Sequence, residues 1–589
     1  MANFVKIVFG SCLGVILASI VVFVIGGTVV TSLASNSDKA KSVDANSVLK
    51  ISFDGGIPEK SNNVPVDPFS FEMDKTLGLH DMVAAIDYAK TDDKIKGIYL
   101  DLTGAPGGRA SAATLRKALM DFKSEDKFIV AYAKAYSQGS YYMASTADEI
   151  MMNPVGAVDF LGFGVQIPFF KDMLERLGIK MQVFYAGQFK SATEPFRNYE
   201  MSEQNRRQTT EYLESMYSLY LKDISEARGV STIELRNLAE TYALQNAEDA
   251  VKYKFVDKLA YKDQVISNLK ERLGLDEDDK LKTISLSDYE KGNKAKLNLK
   301  VKDKIAVVFA EGTIVDGKGE AGSIGGDKYA SIIRKIREGD KHKAIVLRIN
   351  SGGGSGLASE IMWRELMLCK EAGLPVIASM GDVAASGGYY IACMADTILA
   401  QPNTITGSIG VFGMIPSLQK MLDEKVGITF DSVTTGPYSL GITTIADIGT
   451  AQGDIIQKGV NEFYELFLKR VADGRDMSRD AVHEIAQGRV WPGNKAKEIG
   501  LVDVLGDLQD AIAIAAEKAG LDEYRTTEYP KTKDPVQMYI DKITGNEDEA
   551  KVLLEKEVLN IFPEYKYIKE LREMKGVQAR IPFMIEDWN

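Results

Sequence analysis

An internal repeat is the feature of this sequence that most constrains its fold. Lys96-Gly-Ile-Tyr-Leu-Asp-Leu102 resembles Lys343-Ala-Ile-Val-Leu-Arg-Ile349, and Gln138-Gly-Ser-Tyr-Tyr-Met-Ala144 resembles Ser386-Gly-Gly-Tyr-Tyr-Ile-Ala392. In a chain of 589 residues, a repeat of this spacing predicts two copies of one domain. Two further pairs keep the same order and nearly the same spacing: Pro106-Gly-Gly-Arg109 with Gly352-Gly-Gly-Ser355, and Phe255-Val-Asp257 with Leu501-Val-Asp503.

Each copy alternates apolar, strand-like runs with helical stretches. The first runs are Val48-Leu-Lys-Ile-Ser-Phe-Asp-Gly55 and Ile305-Ala-Val-Val-Phe-Ala-Glu-Gly312, and helices are predicted after them over residues 81–89 and 329–337. A second strand, a Gly-rich loop, a long amphipathic helix and another buried strand follow in each copy. This order predicts an α/β fold with a mostly parallel sheet and helices on its faces.

Composition divides the chain into five segments. Residues 1–46 are predicted to hold a membrane anchor and a short linker, residues 47–274 the first domain, and residues 304–526 the second domain. Residues 275–303 are rich in Asp, Glu and Lys, which is typical of a solvated linker. The extension 527–589 has no counterpart in the first copy, and could cap the body or line a groove.

The N-terminus carries an uncharged stretch from Ile7 to Ala34. The stretch exceeds the roughly 20 residues that a helix needs to span a bilayer, so we predict a single N-terminal transmembrane helix. A cleaved signal peptide ending near Ser32-Leu-Ala34 is the alternative, although its apolar core would be unusually long. Flanking charges do not decide the orientation. The very short tail before the helix and the large body after it favour export of the body.

Composition also argues against several classes of function. The net charge is −12, and no basic stripe with interleaved aromatic residues is visible, so nucleic acid is not an expected partner. The three cysteines, Cys12, Cys369 and Cys393, form neither a disulfide framework nor a metal-binding spacing with the histidines. Neither a metal nor an organic cofactor is therefore expected.

Ser386 is the candidate nucleophile. The apolar run Leu374-Pro-Val-Ile-Ala-Ser379 predicts a buried strand before it, and Ile391-Ala-Cys-Met-Ala-Asp396 predicts the first turns of a helix after it. Small neighbours, Gly387 and Gly388, let a substrate backbone approach. A helix N-terminus also offers unpaired N–H groups to a developing negative charge. The alternative is a tight turn that serves only packing.

The two copies have lost different residues. The first copy carries Gln138, which is not a nucleophile, at the position of Ser386. It carries Lys190 after the strand-like segment Met181–Tyr185, whereas the second copy has Ser439 at the corresponding position. This reciprocal pattern predicts one site built from both copies. A solvated surface lysine is the alternative for Lys190, since most lysines are exposed.

The chemistry of a serine nucleophile requires a base and an oxyanion site. A serine hydroxyl is a weak nucleophile until a base takes its proton, and the only three histidines, His80, His342 and His483, lie outside the catalytic-looking motifs. A lysine serves as the base when it is neutral, which requires burial that lowers its pKa. The predicted oxyanion donors are the N–H of Gly387 and one N–H of the Gly-rich loop, from Gly353 or Gly354. That loop lacks the Gly-Lys-Ser/Thr of a phosphate loop.

Three motifs resemble those of a known family: Lys190-Ser-Ala-Thr-Glu-Pro-Phe196, Asp382-Val-Ala-Ala-Ser-Gly-Gly-Tyr-Tyr390 and Thr406-Gly-Ser-Ile-Gly-Val-Phe412. Over nearly its whole length the chain resembles the long, duplicated form of the signal peptide peptidase A family, which are membrane-anchored bacterial serine proteases. The resemblance implies domains similar to the Clp protease and crotonase fold, and bowl-like tetramers.

The resemblance also implies roles for particular residues. Ser386 corresponds to the family's nucleophile, Lys190 to its general base, Ser408 to a serine that orients the lysine, and the Gly-rich loop to the oxyanion loop. The family usually has Asn-Ser-Pro-Gly-Gly in that loop, and Gly352 replaces the proline here. This replacement loosens the unfolded loop and leaves the donor open between Gly353 and Gly354.

The sequence therefore predicts a membrane-anchored endopeptidase with a Ser/Lys dyad. The family resemblance implies that it degrades signal peptides after their release, as a single-pass protein of the bacterial inner membrane with its body on the exported, periplasmic side. Two alternatives share the fold: a crotonase-type acyl-CoA enzyme, and a membrane scaffold that has lost activity.

Overall fold

The computed structural model of this chain describes residues 42–53, 55–61, 77–293, 301–320, 322–531 and 577–580. Over these residues the chain forms three β-sheets with helices packed around them. The predicted membrane helix and most of the C-terminal extension lie outside the described residues. None of the helices that the structure describes has the length and apolar character needed to cross a membrane.

The first repeat begins with a strand and ends with a helix. Its strands are β1 Ser47–Ile51, β2 Ile95–Asp101, β3 Phe128–Ala133, β4 Glu149–Met152, β5 Lys180–Ala186, β6 Lys258–Leu259 and β7 Thr283–Ser285. Its helices are α1 Leu79–Thr91, α2 Arg109–Phe122, α3 Gln138–Ala144, α4 Lys171–Arg176, α5 Glu194–Arg197, α6 Glu203–Arg228, α7 Thr232–Glu240, α8 Ala247–Lys252, α9 Lys262–Arg272 and α10 Leu286–Asn293.

The second repeat has the same plan with additional strands. Its strands are β8 Lys304–Glu311, β9 Thr313–Val315, β10 Ser323–Gly325, β11 His342–Ser351, β12 Gly353–Ser355, β13 Val376–Ala385, β14 Thr397–Ala400, β15 Ile405–Gly407, β16 Val411–Ser417, β17 Val490–Pro492, β18 Val504–Leu505 and β19 Arg525–Tyr529, with β20 Gln578–Arg580 in the tail. Its helices are α11 Gly326–Glu338, α12 Gly356–Glu371, α13 Gly387–Ala392, α14 Thr450–Arg475, α15 Arg479–Ile485, α16 Gly493–Glu498 and α17 Leu508–Lys518.

The strand order confirms the duplication. The first sheet runs β6-β4-β3-β2-β1-β7 and all of its pairs are parallel. The second sheet contains β18-β14-β13-β11-β8-β19 in the same relative order, again parallel. β2, β3, β11 and β13 are buried along almost their whole length, as parallel strands covered by helices on both faces require. The long helices α6 and α14 also correspond, with 26 residues each.

Two predicted boundaries were wrong, and for the same reason. Residues 275–303 were expected to form a charged linker, yet β7 pairs with β1 of the first sheet, and Ile284 and Tyr289 are buried in that core. The second domain was expected to end at residue 526, yet β19 continues to Tyr529 beside β8. β7 and β19 are corresponding edge strands of the two repeats. Each has few apolar residues, and charged residues lie near them in the sequence, so the local pattern does not predict a strand.

The third sheet joins the repeats. Its order is β10-β9-β12-β20-β16-β5, so β5 of the first repeat lies at the edge of a sheet whose other members come from the second repeat and the tail. β5 and β16 are antiparallel over seven residue pairs, from Val411 opposite Ala186 to Ser417 opposite Lys180. The strand that precedes Lys190 is thereby fixed to the strand that follows Ser408.

Buried polar contacts also connect the repeats. Arg348 on β11 forms a bidentate ion pair with Glu59 of the first repeat, at 2.8 and 3.0 Å, and both side chains are almost fully buried. Asp382 on β13 accepts hydrogen bonds from the backbone N–H groups of Ala110 and Ser111, at 2.7 and 3.0 Å, at the start of α2. Removing one partner of a buried charged pair is costly, so these contacts restrict the relative orientation of the two halves.

Candidate active site

Ser386 lies between a strand and a helix, at a turn with unusual backbone geometry. β13 continues up to Ala385, and α13 begins at Gly387. The helix therefore begins earlier than the stretch 391–396 suggested, and it ends at Ala392, because Gly387 and Gly388 form its first turn. Ser386 has φ 56° and ψ −115°, a region that residues with a Cβ rarely occupy. Its N–H donates to Gly407 O at 2.8 Å, which fixes the turn against β15.

Lys190 reaches the second repeat through the loop that follows β5. Phe189 N–H donates to Gln487 O at 2.9 Å. Gly488 packs so closely on this loop that a Cβ there would lie 2.7 Å from the Cα of Lys190. From α6, Gln208 Nε2 donates to Phe189 O at 3.1 Å. The lysine backbone is thus held from both repeats before its side chain enters the site.

The side chains of Lys190, Ser386 and Ser408 meet in a buried cluster. Lys190 Nζ lies 2.8 Å from Ser386 Oγ, 3.0 Å from Ser408 Oγ and 3.1 Å from Ser408 O. At most 2% of any of the three residues is exposed. Ser408 also has positive φ, 50°, and its N–H donates to Arg489 O at 2.7 Å. The structure therefore brings together the lysine of one repeat and the two serines of the other.

Burial dominates the electrostatics of Lys190. It lowers the pKa of the lysine well below the ordinary value, and the positive charge of Arg580 lowers the pKa further. The hydrogen bonds of Nζ among the described residues go to serine oxygens, and no carboxylate there raises the pKa of Lys190. A neutral amine beside a serine hydroxyl is able to accept its proton.

The Gly-rich segment is a strand rather than the predicted loop. β12 contains both candidate donors, Gly353 and Gly354, with φ 99° and 155°. Gly353 N–H donates to Ser351 Oγ at 3.1 Å, so this amide already has a partner. A Cβ on Gly387 would lie 3.2 Å from the N of Gly354. The N of Gly354 therefore lies beside Gly387, and Gly353 is also close, since a Cβ on Gly353 would lie 2.7 Å from the N of Gly387.

A short strand of the C-terminal tail lies in the same place. β20 pairs antiparallel with β12, and Ala579 is opposite Gly354. The carbonyl oxygen of Ala579 would clash with a Cβ on Gly353, and it would lie 3.0 Å from one on Gly387. The groove beside Ser386 therefore accommodates an extended polypeptide backbone with a carbonyl against the glycines.

Sequence reasoning missed several residues that shape the site. Asp382, Gln208, Gly488 and Arg580 were not singled out, although each contacts or influences the lysine or the strand that leads to the serine. Asp382 offered a signal, a carboxylate inside an apolar run. The others are brought to the site by long-range pairing that no local pattern reveals.

Comparisons with known proteins agree with the duplicated architecture. Residues 121–276 and 369–522 both match the family described as Peptidase family S49. The chain is 38% identical to Protease 4 of Salmonella typhi over 80% of this chain and 76% of that protein. It is 35% identical to Protease 4 of Haemophilus influenzae over 83% and 82% of the two chains. It is 34% identical to the chloroplastic serine protease SPPA of Arabidopsis thaliana over 84% and 72%.

A search of solved structures found a more distant likeness. A point mutant of ClpP1 from Listeria monocytogenes matches 35% of this chain and 94% of its own, with 14% sequence identity and a TM-score of 0.23. A score this low carries no argument about fold or function.

The chain belongs to peptidase family S49, and its two matched segments make it a long, duplicated member of the SppA type. It is a serine-type peptidase. The relatives give no support to the alternative of a crotonase-type acyl-CoA enzyme.

Proposed function

We propose that the protein is an endopeptidase in which Ser386 is the nucleophile and Lys190 the general base. The observation that carries the proposal is the 2.8 Å contact between Lys190 Nζ and Ser386 Oγ. Burial of that contact lowers the pKa of the lysine, which favours the neutral amine that a base requires.

The proposed reaction begins when Ser386 Oγ attacks the carbonyl carbon of a peptide bond and its proton passes to Lys190 Nζ. The oxyanion accepts hydrogen bonds from the N–H of Gly387 and from one amide of β12. Gly354 is the better donor there, because the amide of Gly353 donates to Ser351. Lys190 returns the proton to the leaving amine as the C–N bond breaks. A water molecule, deprotonated by the neutral lysine, then attacks the acyl-enzyme, and as the ester C–O bond breaks Ser386 Oγ takes the proton back from Lys190.

Ser408 is proposed to position the lysine. Its Oγ and its carbonyl oxygen both accept from Lys190 Nζ, at 3.0 and 3.1 Å. Two acceptors on one side restrict the rotation of the amine, so that its lone pair is directed toward Ser386. Holding reacting groups in such geometry contributes through proximity and orientation.

The proposed substrates are extended peptides, chiefly signal peptides after their release, together with other exported or membrane peptides. The pairing of β20 with β12 supports a substrate that binds as an extended strand beside these glycines. A further relative, 32% identical over 38% of this chain, is named putative signal peptide peptidase SppA from Enterococcus faecium. That name describes the relative, and its substrate is proposed for this chain.

We also propose that the protein is a single-pass protein of the bacterial inner membrane with its body in the periplasm. The uncharged stretch from Ile7 to Ala34 supports a membrane anchor. The proposed assembly is a homotetramer, and each repeat is proposed to be a ClpP/crotonase-like domain. Cleavage of the body by protease added to spheroplasts would support the periplasmic side, and protection in intact spheroplasts with cleavage after lysis would place it inside.

Peptide hydrolysis by matched variants tests the proposed dyad. We expect Ser386→Ala and Lys190→Ala each to lower kcat/KM for a signal-peptide substrate by at least about a thousandfold, and the double variant to be no worse, because such groups act as a unit. Lys180→Ala is the matched control, since Lys180 lies on β5 and pairs with Asp447 at the surface. Substantial turnover by Lys190→Ala would overturn the assignment of the base, and a fully active Ser386→Ala would overturn that of the nucleophile.

A further inference from the structure

Two extended segments have no partner strand among the described residues. We call residues 163–169 of the first repeat the first arm, and residues 429–435 of the second repeat the second arm. Neither is part of a sheet. No backbone–backbone hydrogen bond joins either arm to another described residue. Unpaired extended segments of this kind are templates for pairing with another chain.

Each arm has a counterpart in the other repeat. Leu161-Gly-Phe-Gly-Val-Gln-Ile-Pro168 resembles Ile409-Gly-Val-Phe-Gly-Met-Ile-Pro416, so the first arm corresponds to β16. The second arm corresponds to β5, because both follow a Gly-Ile pair and precede a glycine. The glycines that open these two segments, Gly178 and Gly427, have similar φ angles of 75° and 79°.

The counterparts of the arms are already paired with each other. β16 and β5 form seven antiparallel residue pairs within one chain, and this pairing joins the second repeat to the first. The chain therefore carries four segments of one kind of interface, and among the described residues two of them, β5 and β16, are paired with each other. The two arms correspond to β16 and β5, but among the described residues they are not paired with each other.

We propose that the first arm of one chain pairs antiparallel with the second arm of a second copy of the chain. This contact would repeat between chains the β5–β16 contact that joins the repeats within a chain. The proposal rests on the homo-oligomer proposed above and deepens it by naming the contact surfaces. Because each chain offers one arm of each kind, the contact is head to tail, and such contacts generate rings when the rotation closes.

The burial of the arms fits this partner. In the first arm, four apolar residues are partly buried and alternate with exposed residues; they are Phe163, Val165, Ile167 and Phe169. This alternation is typical of a strand that packs one face on its own domain. The second arm is exposed throughout, and Val433 is 99% exposed. The first arm therefore has a partly buried apolar face, and the second arm exposes two apolar side chains, Phe430 and Val433, to solvent.

The internal interface also gives the register of the proposed one. Gly413 lies opposite Phe184 in the β16–β5 pair, and the corresponding residues of the arms are Val165 and Val433. Pro416 lies opposite Met181, and its counterpart Pro168 would lie opposite Phe430. Proline lacks a backbone N–H and so removes one hydrogen bond between the strands. The internal pair tolerates this at Pro416, and the proposed pair would have the same loss at Pro168.

Oxidative crosslinking of the full-length chain in detergent tests the contact and its direction. Val165→Cys and Val433→Cys are made separately in a Cys12→Ser background, because the other two cysteines, Cys369 and Cys393, are buried. We expect the two variants, co-expressed so that mixed oligomers assemble, to form crosslinked dimers under oxidation, and neither variant alone to do so. Cross-strand partners have Cβ atoms about 4.5–5.5 Å apart, close enough for a disulfide after small adjustment.

The internal interface provides the matched control. The double variant Gly413→Cys with Phe184→Cys should crosslink within one chain under the same oxidation. If this control crosslinks and the co-expressed arm variants do not, the proposal is overturned. Crosslinking of Val433→Cys to itself would show a two-fold contact instead, and protection of that thiol only by lipid vesicles would show a membrane surface. Both outcomes also overturn the proposal.

Assembly provides a second measurement. Val433→Asp places a charge in the proposed contact and should reduce the mass measured by light scattering to that of smaller species, without a loss of folding. Val155→Asp is the control, because Val155 is 90% exposed on a turn that belongs to neither arm. An unchanged mass for Val433→Asp would overturn the proposal. If the protein is an oligomer but the arms do not crosslink, the proposed homo-oligomer stands and the proposed contact is overturned. If the arms crosslink but Ser386→Ala and Lys190→Ala hydrolyse peptides as fast as wild type, only the proposed catalysis is overturned.

Discussion

A strand-to-helix turn follows β3 in the first repeat and β13 in the second. Only the turn after β13 holds a residue, Ser386, in a strained conformation. Ser386 has positive φ, whereas its counterpart Gln138 opens a helix whose N-cap, Ser137, has an ordinary extended backbone with φ −72° and ψ 165°. The Gln138 side chain is occupied by hydrogen bonds to Leu161 and Gly162, at 3.0 to 3.2 Å. A strained residue of this kind costs about 1–3 kcal/mol and persists where the surroundings enforce it.

The difference between Ser386 and Gln138 shows how the two repeats differ in function-related features while sharing one fold. The first repeat keeps the architecture but has neither the serine nor the strained turn of Ser386, and it places Lys190 across the interface. The second repeat kept the strained serines, Ser386 and Ser408, and has an exposed Ser439 where the lysine would be. The described residues therefore bring this lysine and these serines together at one place, and the packing between the repeats holds them there.

Outside the proposed dyad itself, the largest effect is expected at Gly488, which tests whether the second repeat must hold the lysine of the first. Gly488 has φ 79°, and a Cβ there would lie 2.7 Å from Lys190 Cα. Gly488→Ala should displace the lysine and lower kcat/KM by about a hundredfold or more. Gly500→Ala is the control: its φ is 82°, and its nearest neighbour, Met477 Sδ, lies 3.9 Å away. Equal losses of kcat/KM in the two variants would mean that backbone strain alone explains the effect.

A smaller effect is expected at Ser408, which tests whether the second positive-φ serine belongs to the active cluster. Ser408→Gly removes the hydroxyl that accepts from Lys190, while glycine adopts the φ of 50° freely. We expect kcat to fall by about tenfold to a hundredfold with little change in KM, since orientation rather than binding is lost. Ser439→Gly, which removes an exposed hydroxyl of the same repeat, should leave both constants unchanged. A rise in KM alone would assign Ser408 to substrate binding.

Stability should change with pH when the buried amine is removed. The folded state lowers the pKa of Lys190, so unfolding takes up a proton at pH values between the folded pKa and the ordinary lysine pKa. The lysine therefore destabilises the fold most at low pH, and the penalty disappears above a pH of about 10.4. Relative to wild type, Lys190→Met should gain stability by up to about 1.4 kcal/mol for each pH unit of fall across that window. Denaturant unfolding at several pH values measures this, and a difference independent of pH would show that the amine is not neutral.

The smallest effect is expected when the first repeat is given a serine. In the Ser386→Ala background, Gln138→Ser should restore neither hydrolysis nor labelling by a fluorophosphonate probe. The new hydroxyl would sit in a regular helix, without the strained turn and without a lysine beside it. Wild type and Ser386→Ala alone give the upper and lower limits of the assay. Any probe label located on residue 138 would show that the first repeat retains a working site.

Much of the fold was predictable because local patterns of apolar residues indicate its strands and helices, and these patterns occur in both repeats. The predicted strand Met181–Tyr185 lies within β5, and the helices predicted over 81–89 and 329–337 lie within α1 and α11. The edge strand β7 was missed because its one buried residue, Ile284, stands among charged neighbours whose average suggests a linker.

The candidate site was predictable for a different reason. Reciprocal loss at Gln138 and Ser439 indicated a shared site, and the structure places Lys190 against Ser386. The pairing of β20 with β12, and with it the charge of Arg580 near the lysine, could not be predicted. Such pairing depends on contacts between distant parts of the chain, for which three residues carry no periodic signal.

The pH dependence of probe labelling at Ser386 tests the shared site most directly, because it measures nucleophile activation without peptide binding. The rate constant for reaction of wild type with a fluorophosphonate should rise with pH as Lys190 loses its proton, with a midpoint well below the ordinary lysine pKa. Lys190→Met should react far more slowly and without that rise. A Lys190→Met variant that reacts as fast as wild type, with the same pH profile, would contradict the account.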